Sequence, residues 1–300
     1  MKSSSSDFSE RTPVIPDHEM IRMIGKGSYG EVWLARSVTG SMRAIKVVNR
    51  KDFEYDRTFE REFEGIKIFE PISRTHPGLV NVLHVGRNLD DGFYYYVMEL
   101  ADDKVSKSEI IDDKYTPRTL ASEITDRQRV SMDECGEWGA TMADALHHIH
   151  ESGLTHRDIK PSNVIFVDGI PKIADIGLVA LSGQRTFVGT EGFVPPEGPG
   201  DPKADIYSLG MVLYEMSSGK DRFEFPAISD PNGNEVERRK WRSLNDIICK
   251  ACATLARQRY ENAHKMSQDL QSLDEGVRFG MFVVKFIRTL LLMTLGAIAI

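Results

Sequence analysis

Cysteine is scarce in this chain: Cys135, Cys249 and Cys252 are the only three in 300 residues. So few, and an odd number, exclude a disulfide framework of the secreted kind and point to a reducing compartment. Cys249-Lys250-Ala251-Cys252 spells CxxC, but no second pair completes a zinc site and the segment reads as helix, so buried helix cysteines are expected. Long basic runs are also missing. With 38 Lys and Arg against 45 Asp and Glu the net charge is -7, which argues against a nucleic-acid surface, because phosphate backbones call for clustered cations. Nor does the chain open on an apolar run. Residues 1–17 are Ser-rich with two prolines, which excludes a signal peptide and leaves a disordered leader as the expectation.

What the chain lacks at one end it has at the other. Residues 281–300 are almost wholly apolar, broken among charged residues only by Lys285 and Arg288. Thr289 to Ile300 would rise only ~18 Å as a helix against a hydrocarbon core of ~30 Å. Counted from Met281 the stretch is long enough to span if Lys285 and Arg288 snorkel, and the positive-inside rule then keeps the large domain in the cytoplasm. The alternative is an amphipathic last helix packed on the body. The abrupt ending at Ile300 also suggests a chain that continues in a longer form. The 41% hydrophobic content is enough to supply one large domain or two packed lobes.

The chemistry concentrates in His156-Arg157-Asp158-Ile159-Lys160-Pro161-Ser162-Asn163, followed by Asp175-Ile176-Gly177. Asp158 can accept a proton from an attacking hydroxyl, while Asn163 and Asp175 offer the hard oxygen ligands Mg²⁺ prefers. Lys160 adds positive charge where a phosphate would pass. Upstream, Ile24, Gly25, Lys26, Gly27, Ser28, Tyr29, Gly30, Glu31 and Val32 carry glycines between two β-prone runs. No helix begins there, so a hairpin whose backbone amides approach phosphates is favoured over a dinucleotide-binding turn. Lys46 sits inside the apolar strand Ala44 to Val48 and needs a partner if buried; the helical pattern over 59–69 supplies Glu60, Glu62 and Glu64. A strongly β-prone run, Phe93 to Leu100, ends in Ala101-Asp102-Asp103. Residues 102–131 read as a connector, and helical periodicity resumes from Glu134 to His150. His147, His148 and His150 do not share one helical face and are taken as structural.

These motifs, with Pro195-Pro196-Glu197 and the run Asp205 to Gly210 through to Arg259, resemble the protein kinase family of the Hanks type, in its bacterial serine/threonine style. The resemblance covers residues 18 to 275. It implies an α+β, two-lobed fold, with a β-rich N-lobe over about 18–100 and a helical C-lobe over about 101–275. It implies ATP and Mg²⁺ as cofactors and a protein substrate bearing Ser or Thr, to which Lys160 and Thr190 also point. Asp158, Lys160, Asn163 and Lys46 become the catalytic set, with Asn163 and Asp175 holding the metal. ATP would be bound by the 24–32 hairpin, Ala44, Lys46, Glu62 as the partner of Lys46, Met98, the backbone of Glu99 to Ala101, and Ile165. Glu197 with Arg259 would anchor the substrate-side loop, and Asp205 would brace the catalytic loop. Thr186, or Ser182, is placed for a phosphate that pairs with Arg157. Ile176 departs from the family's aromatic, which changes packing beside the metal ligand. The resemblance leaves two competitors: a pseudokinase scaffold without transfer, against which the intact catalytic set argues, and a phosphotransferase acting on small molecules, against which the loop around Thr190 and Pro195 argues. Localisation is expected to be a cytoplasmic kinase domain anchored to the inner membrane by 281–300; no oligomeric state follows.

Overall fold

The structure is a computed structural model describing residues 12–27, 30–107, 110, 113–175, 180–181, 189–227 and 234–273. Five antiparallel strands open the chain: β1 (His18–Lys26), β2 (Glu31–Ser37), β3 (Met42–Asn49), β4 (Val82–Asn88) and β5 (Phe93–Met98), in the order β1-β2-β3-β5-β4. The strands β3 and β5 read as unbroken apolar runs because this sheet is covered on both faces. Ala44, Val48, Tyr94, Tyr96 and Met98 join the core shared with α1 (Asp56–Ser73), while Ile45, Val47, Phe93, Tyr95 and Val97 pack with Trp33 and Ile15 on the far side. Side chains alternate along a strand, so Lys46 shares the α1 face with Ala44 and Val48. That alternation turns its ammonium toward the cleft.

Helix α1 buries Phe59, Glu62, Ile66, Phe69 and Ser73, a stripe at helical spacing, and ends two residues after Pro71. The chain then crosses to the second lobe. Val80 N–H donates to Ile173 C=O at 3.1 Å and Ile173 N–H to Gly78 C=O at 2.8 Å, stitching this crossing to the hairpin β7 (Val164–Val167) and β8 (Ile170–Ile173). The hairpin turns on Asp168 and Gly169, both at positive φ, the conformation a tight two-residue turn demands.

The expected connector contains a helix, α2 (Leu120–Arg127). The 102–131 reading missed it because only Leu120 is buried, leaving no apolar stripe; a Thr119/Ser122 capping box starts it instead. Helix α3 (Met132–Glu151), capped by Ser131 and Glu134, runs through the lobe against α4 (Pro202–Ser218) and α5 (Glu235–Ala251). Helix α4 starts at the Asp201 cap with Pro202 in its first turn and stops at Gly219 in the left-handed conformation. Two short strands, β6 (Leu154–Thr155) and β9 (Ala180–Leu181), pair near the catalytic segment, and 263–273 is helical.

The cysteines divide. Cys252 is buried, but Cys249 is exposed, contrary to the expectation for both, because the buried stripe of α5 is Leu244, Ile247, Ile248 and Ala251. Gly210 of α4 faces that contact: a Cβ there would lie 2.6 Å from Cys252 Sγ and 2.8 Å from Ala251 Cβ. Gly210→Val is therefore expected to destabilise the fold by about 1–3 kcal/mol through overpacking, read as a lower urea midpoint at unchanged slope; an unaltered midpoint would refute close packing at this crossing.

Candidate active site

Between the lobes lies a cavity of about 430 Å³. N-lobe strands contribute Ile24, Gly25, Lys26, Gly27, Val32, Ala44 and Lys46; β5 and the joining segment contribute Tyr96, Met98, Glu99 and Ala101. The C-lobe supplies Lys160, Ser162, Asn163, Ile165, Ala174 and Asp175. Sequence reasoning missed Tyr96, Ser162 and Ala174, and also Tyr115, Pro117 and Thr119, which line the cavity from the segment before α2. The apolar island Tyr115-Thr116-Pro117 in an otherwise charged stretch was the available signal.

The expected catalytic Asp158 is not part of this lining, and three of the described residues expected to bind ATP do not line it either. Gly30 and Glu31 begin β2 beyond the turn: Gly27 N–H donates to Gly30 C=O at 3.0 Å, and Glu31 pairs with Lys26 at 3.5 Å. Gly30 is required for another reason, since at φ +103 a Cβ would meet Val47 O at 2.3 Å. Glu62 is the third. The expected Lys46–Glu62 pair is not formed: Lys46 Nζ donates to Asp175 Oδ1 instead. Among the described residues Glu62 pairs with Arg61, at 4.0 Å, and its buried Oε2 has no hydrogen-bond partner. Burial pushes its carboxyl up to about 7, outweighing the charges of Arg61, Arg157 and Lys46. Burial also acts to raise Asp175, but Lys46 overcomes it and holds that carboxyl below its ordinary value. The reason for the exchange is electrostatic: one buried ammonium faces two carboxylates, and it takes the one it can hydrogen-bond.

The catalytic segment between β6 and β7 is tied together internally. Asn163 Nδ2 donates to Asp158 O at 2.8 Å and to its Oδ2 at 2.9 Å, and Lys160 Nζ lies 2.8 Å from the same oxygen. Thr190 Oγ1 donates to Asp158 Oδ1 at 2.8 Å and accepts from Lys160 Nζ at 2.9 Å. Asp205 holds this segment from behind, accepting from His156 N–H and Arg157 N–H at 2.8 Å each, and pairing with His150 Nε2 at 2.9 Å. His150 is thus structural, as is His148, whose Nε2 is 2.7 Å from Thr75 Oγ1. Asp175 and Arg157 both sit at positive φ, a strained backbone that clusters at functional sites.

Support extends outward. Arg259 forks onto Glu197 at 2.6 and 3.0 Å and donates to the carbonyls of Lys203 and Ala253. Glu99 turns its carboxylate to Asn81 N–H at 2.8 Å and Lys172 Nζ at 2.7 Å. Ser28, Tyr29, Ile176, Ser182, Thr186 and residues 281–300 lie outside the described residues, as do the expectations placed on them.

Comparison with known proteins agrees with the geometry. The family described as Protein kinase domain matches residues 18–282. The chain is similar to the DNA damage-responsive serine/threonine-protein kinase RqkA of Deinococcus radiodurans, 32% identical over 69% of this chain and 30% of that protein. It is also similar to the serine/threonine-protein kinase PrkC of Bacillus subtilis, 27% identical over 85% of this chain and 40% of that protein. The 3-phosphoinositide-dependent protein kinase 1 of Arabidopsis thaliana is 32% identical over 74% of this chain and 47% of its own length. The chain thus spans between about a third and a half of the length of the curated relatives it matches. With a two-lobed α+β fold, a cleft at their junction and a match over most of its length, this chain belongs to the protein kinase domain family.

Proposed function

We propose that the protein is an ATP-dependent serine/threonine protein kinase, which transfers the γ-phosphoryl group of ATP to a protein hydroxyl. The observation that carries this reading is the single hydrogen-bonded unit of Asp158, Lys160, Asn163 and Thr190 beside a cavity lined by Lys46 and Asp175. In the transfer, the substrate oxygen bonds to the γ-phosphorus as the bond to the bridging oxygen of ADP breaks, and Asp158 accepts the hydroxyl proton. Asn163 and Thr190 aim its carboxylate, and Lys160 offsets charge on the moving group. Because Asn163 spends its amide nitrogen on Asp158, its Oδ1 is left for a cation, and Asp175, whose side chain is 32% exposed, offers a second hard oxygen. Bound there, Mg²⁺ would neutralise phosphate charge. Lys46 engages Oδ1 of Asp175, so Oδ2 is the oxygen this carboxylate would offer to a cation.

The reading extends to a membrane tether. Residues 281–300 are about as long as a bilayer span requires, and Arg278, Lys285 and Arg288 on the domain side favour a cytoplasmic kinase domain at the inner membrane, suited to signalling. Among the described residues no helix is long and apolar enough to cross a membrane.

Asp158→Asn is expected to lower phosphoryl transfer from labelled ATP to a protein substrate by about 10²–10⁴-fold while nucleotide binding persists. Equal label with both proteins would sink the proposal. The Glu62 carboxyl supplies a pH signature. Folded, it keeps its proton to about pH 7, and unfolded it loses it at the ordinary value of 4.5, so the folded state holds the extra proton between these and stability falls as pH rises through that window. Glu62→Gln removes the titration; nucleotide-free, its stability relative to the parent should improve by about 2–3 kcal/mol from pH 4.5 to pH 8, and parallel urea curves at both pH values would rule this out. For the tether, the full chain should float with lipid vesicles and resist carbonate extraction, whereas a chain lacking 281–300 should not; identical partitioning would exclude the tail as an anchor.

A further inference from the structure

The segment joining the lobes has fewer open hydrogen-bonding groups than its length implies. Glu99 N–H donates to the Asn81 carbonyl at 3.1 Å, and Ala101 C=O accepts the Tyr115 hydroxyl at 3.1 Å. Among the described residues, Glu99 C=O, both backbone groups of Leu100 and Ala101 N–H carry no partner, and of these residues Glu99 and Ala101 line the cavity, so the hinge shows it one acceptor followed by one donor. Tyr115 is held at this edge by a loop folded around a buried carboxylate. Asp103 accepts from Val105 N–H, Ser106 N–H, the Ser106 hydroxyl and Thr116 N–H, and despite burial these bonds keep its carboxyl down at about 2. From the other lobe, Arg22 of β1 donates to the Tyr115 carbonyl. The loop is gripped from both sides of the cleft. Burial, with Asp103 and Asp102 adding to it, raises the Tyr115 hydroxyl well above its ordinary value, so it stays a donor at any physiological pH.

We propose that the Tyr115 hydroxyl is a purine-selectivity device, which occupies Ala101 C=O and so leaves the hinge complementary to adenine and not to guanine. The inference rests on the nucleotide-binding reading above. An adenine edge presents an amino donor beside a ring-nitrogen acceptor, and these match Glu99 C=O and Ala101 N–H. Guanine presents the reverse, O6 as acceptor beside N1–H as donor. That pair needs an N–H and a C=O from one cavity-lining hinge residue, and with the Glu99 N–H given to Asn81 the residue is Ala101. Tyr115 already stands at that carbonyl and lines the same cavity. A guanine N1–H would then be buried unpaired, a defect that sites built on hydrogen bonds discriminate against strongly.

Calorimetric titration of the full chain with ATP, GTP and ITP tests this, using the parent protein, Tyr115→Phe and Tyr115→Met. The parent should bind ATP at least about tenfold tighter than GTP. In both variants, which fill the space without a hydroxyl donor, the affinity for GTP relative to that for ATP should rise roughly tenfold. ITP, with the same O6 and N1–H edge as GTP, should follow it. An unchanged ATP to GTP ratio in both variants, with ATP still bound, overturns the role of Tyr115 and leaves the nucleotide site standing. Failure of the parent to bind any nucleotide overturns both.

Discussion

The site depends on one buried carboxylate. Asp205 is 1% exposed, and a charge so placed persists only where donors replace the water it lost. Those donors are the backbone N–H groups of His156 and Arg157 and the ring of His150, and together they overcome burial to hold its carboxyl below the ordinary range. Asp205 also sits in the first turn of α4, where the helix dipole favours negative charge. A single side chain thereby fixes α3, α4 and the start of the catalytic segment to one another. With His156 and Arg157 pinned, Arg157 can hold a positive φ and Asp158 emerges at a set angle.

The N-lobe half is positioned by a different constraint, burial of the sheet on both faces. Were β3 covered on one face only, Lys46 could turn to solvent; instead Ile45 and Val47 are locked against Trp33 and Tyr95, and Ala44 and Val48 against the inner core. The alternation then leaves Lys46 one direction. Its 3% exposure forces it to find a carboxylate, and α1 and the catalytic side of the cleft each present one.

How much of this was legible follows from the range of the interactions. Asp158, Lys160 and Asn163 are close in sequence and their chemistry reads from residue type and spacing; so do the glycine hairpin and the strand around Lys46. The pairing of Lys46 was not legible, because Glu62 and Asp175 compete for it across the cleft and sequence gives no distance. Helix α2 hid because capping, not an apolar stripe, defines it. The exposure of Cys249 turned on which face of α5 meets α4, a packing choice invisible in a CxxC spacing. Tyr115 was invisible for the same reason as Asp103: a loop organised by one carboxylate has no periodicity to detect.

The two halves differ in how complete they are, and the difference has a physical meaning. In the C-lobe, Asp158, Asn163 and Thr190 satisfy one another with normal hydrogen bonds, the N–H groups of His156 and Arg157 satisfy Asp205, and Arg259 with Glu197 does the same for the strip leading to α4. Across the cleft Glu62 Oε2 is buried without a partner while Lys46 is committed to Asp175. A buried unpaired oxygen costs about 1–3 kcal/mol, which makes this half the one a ligand can most readily rearrange.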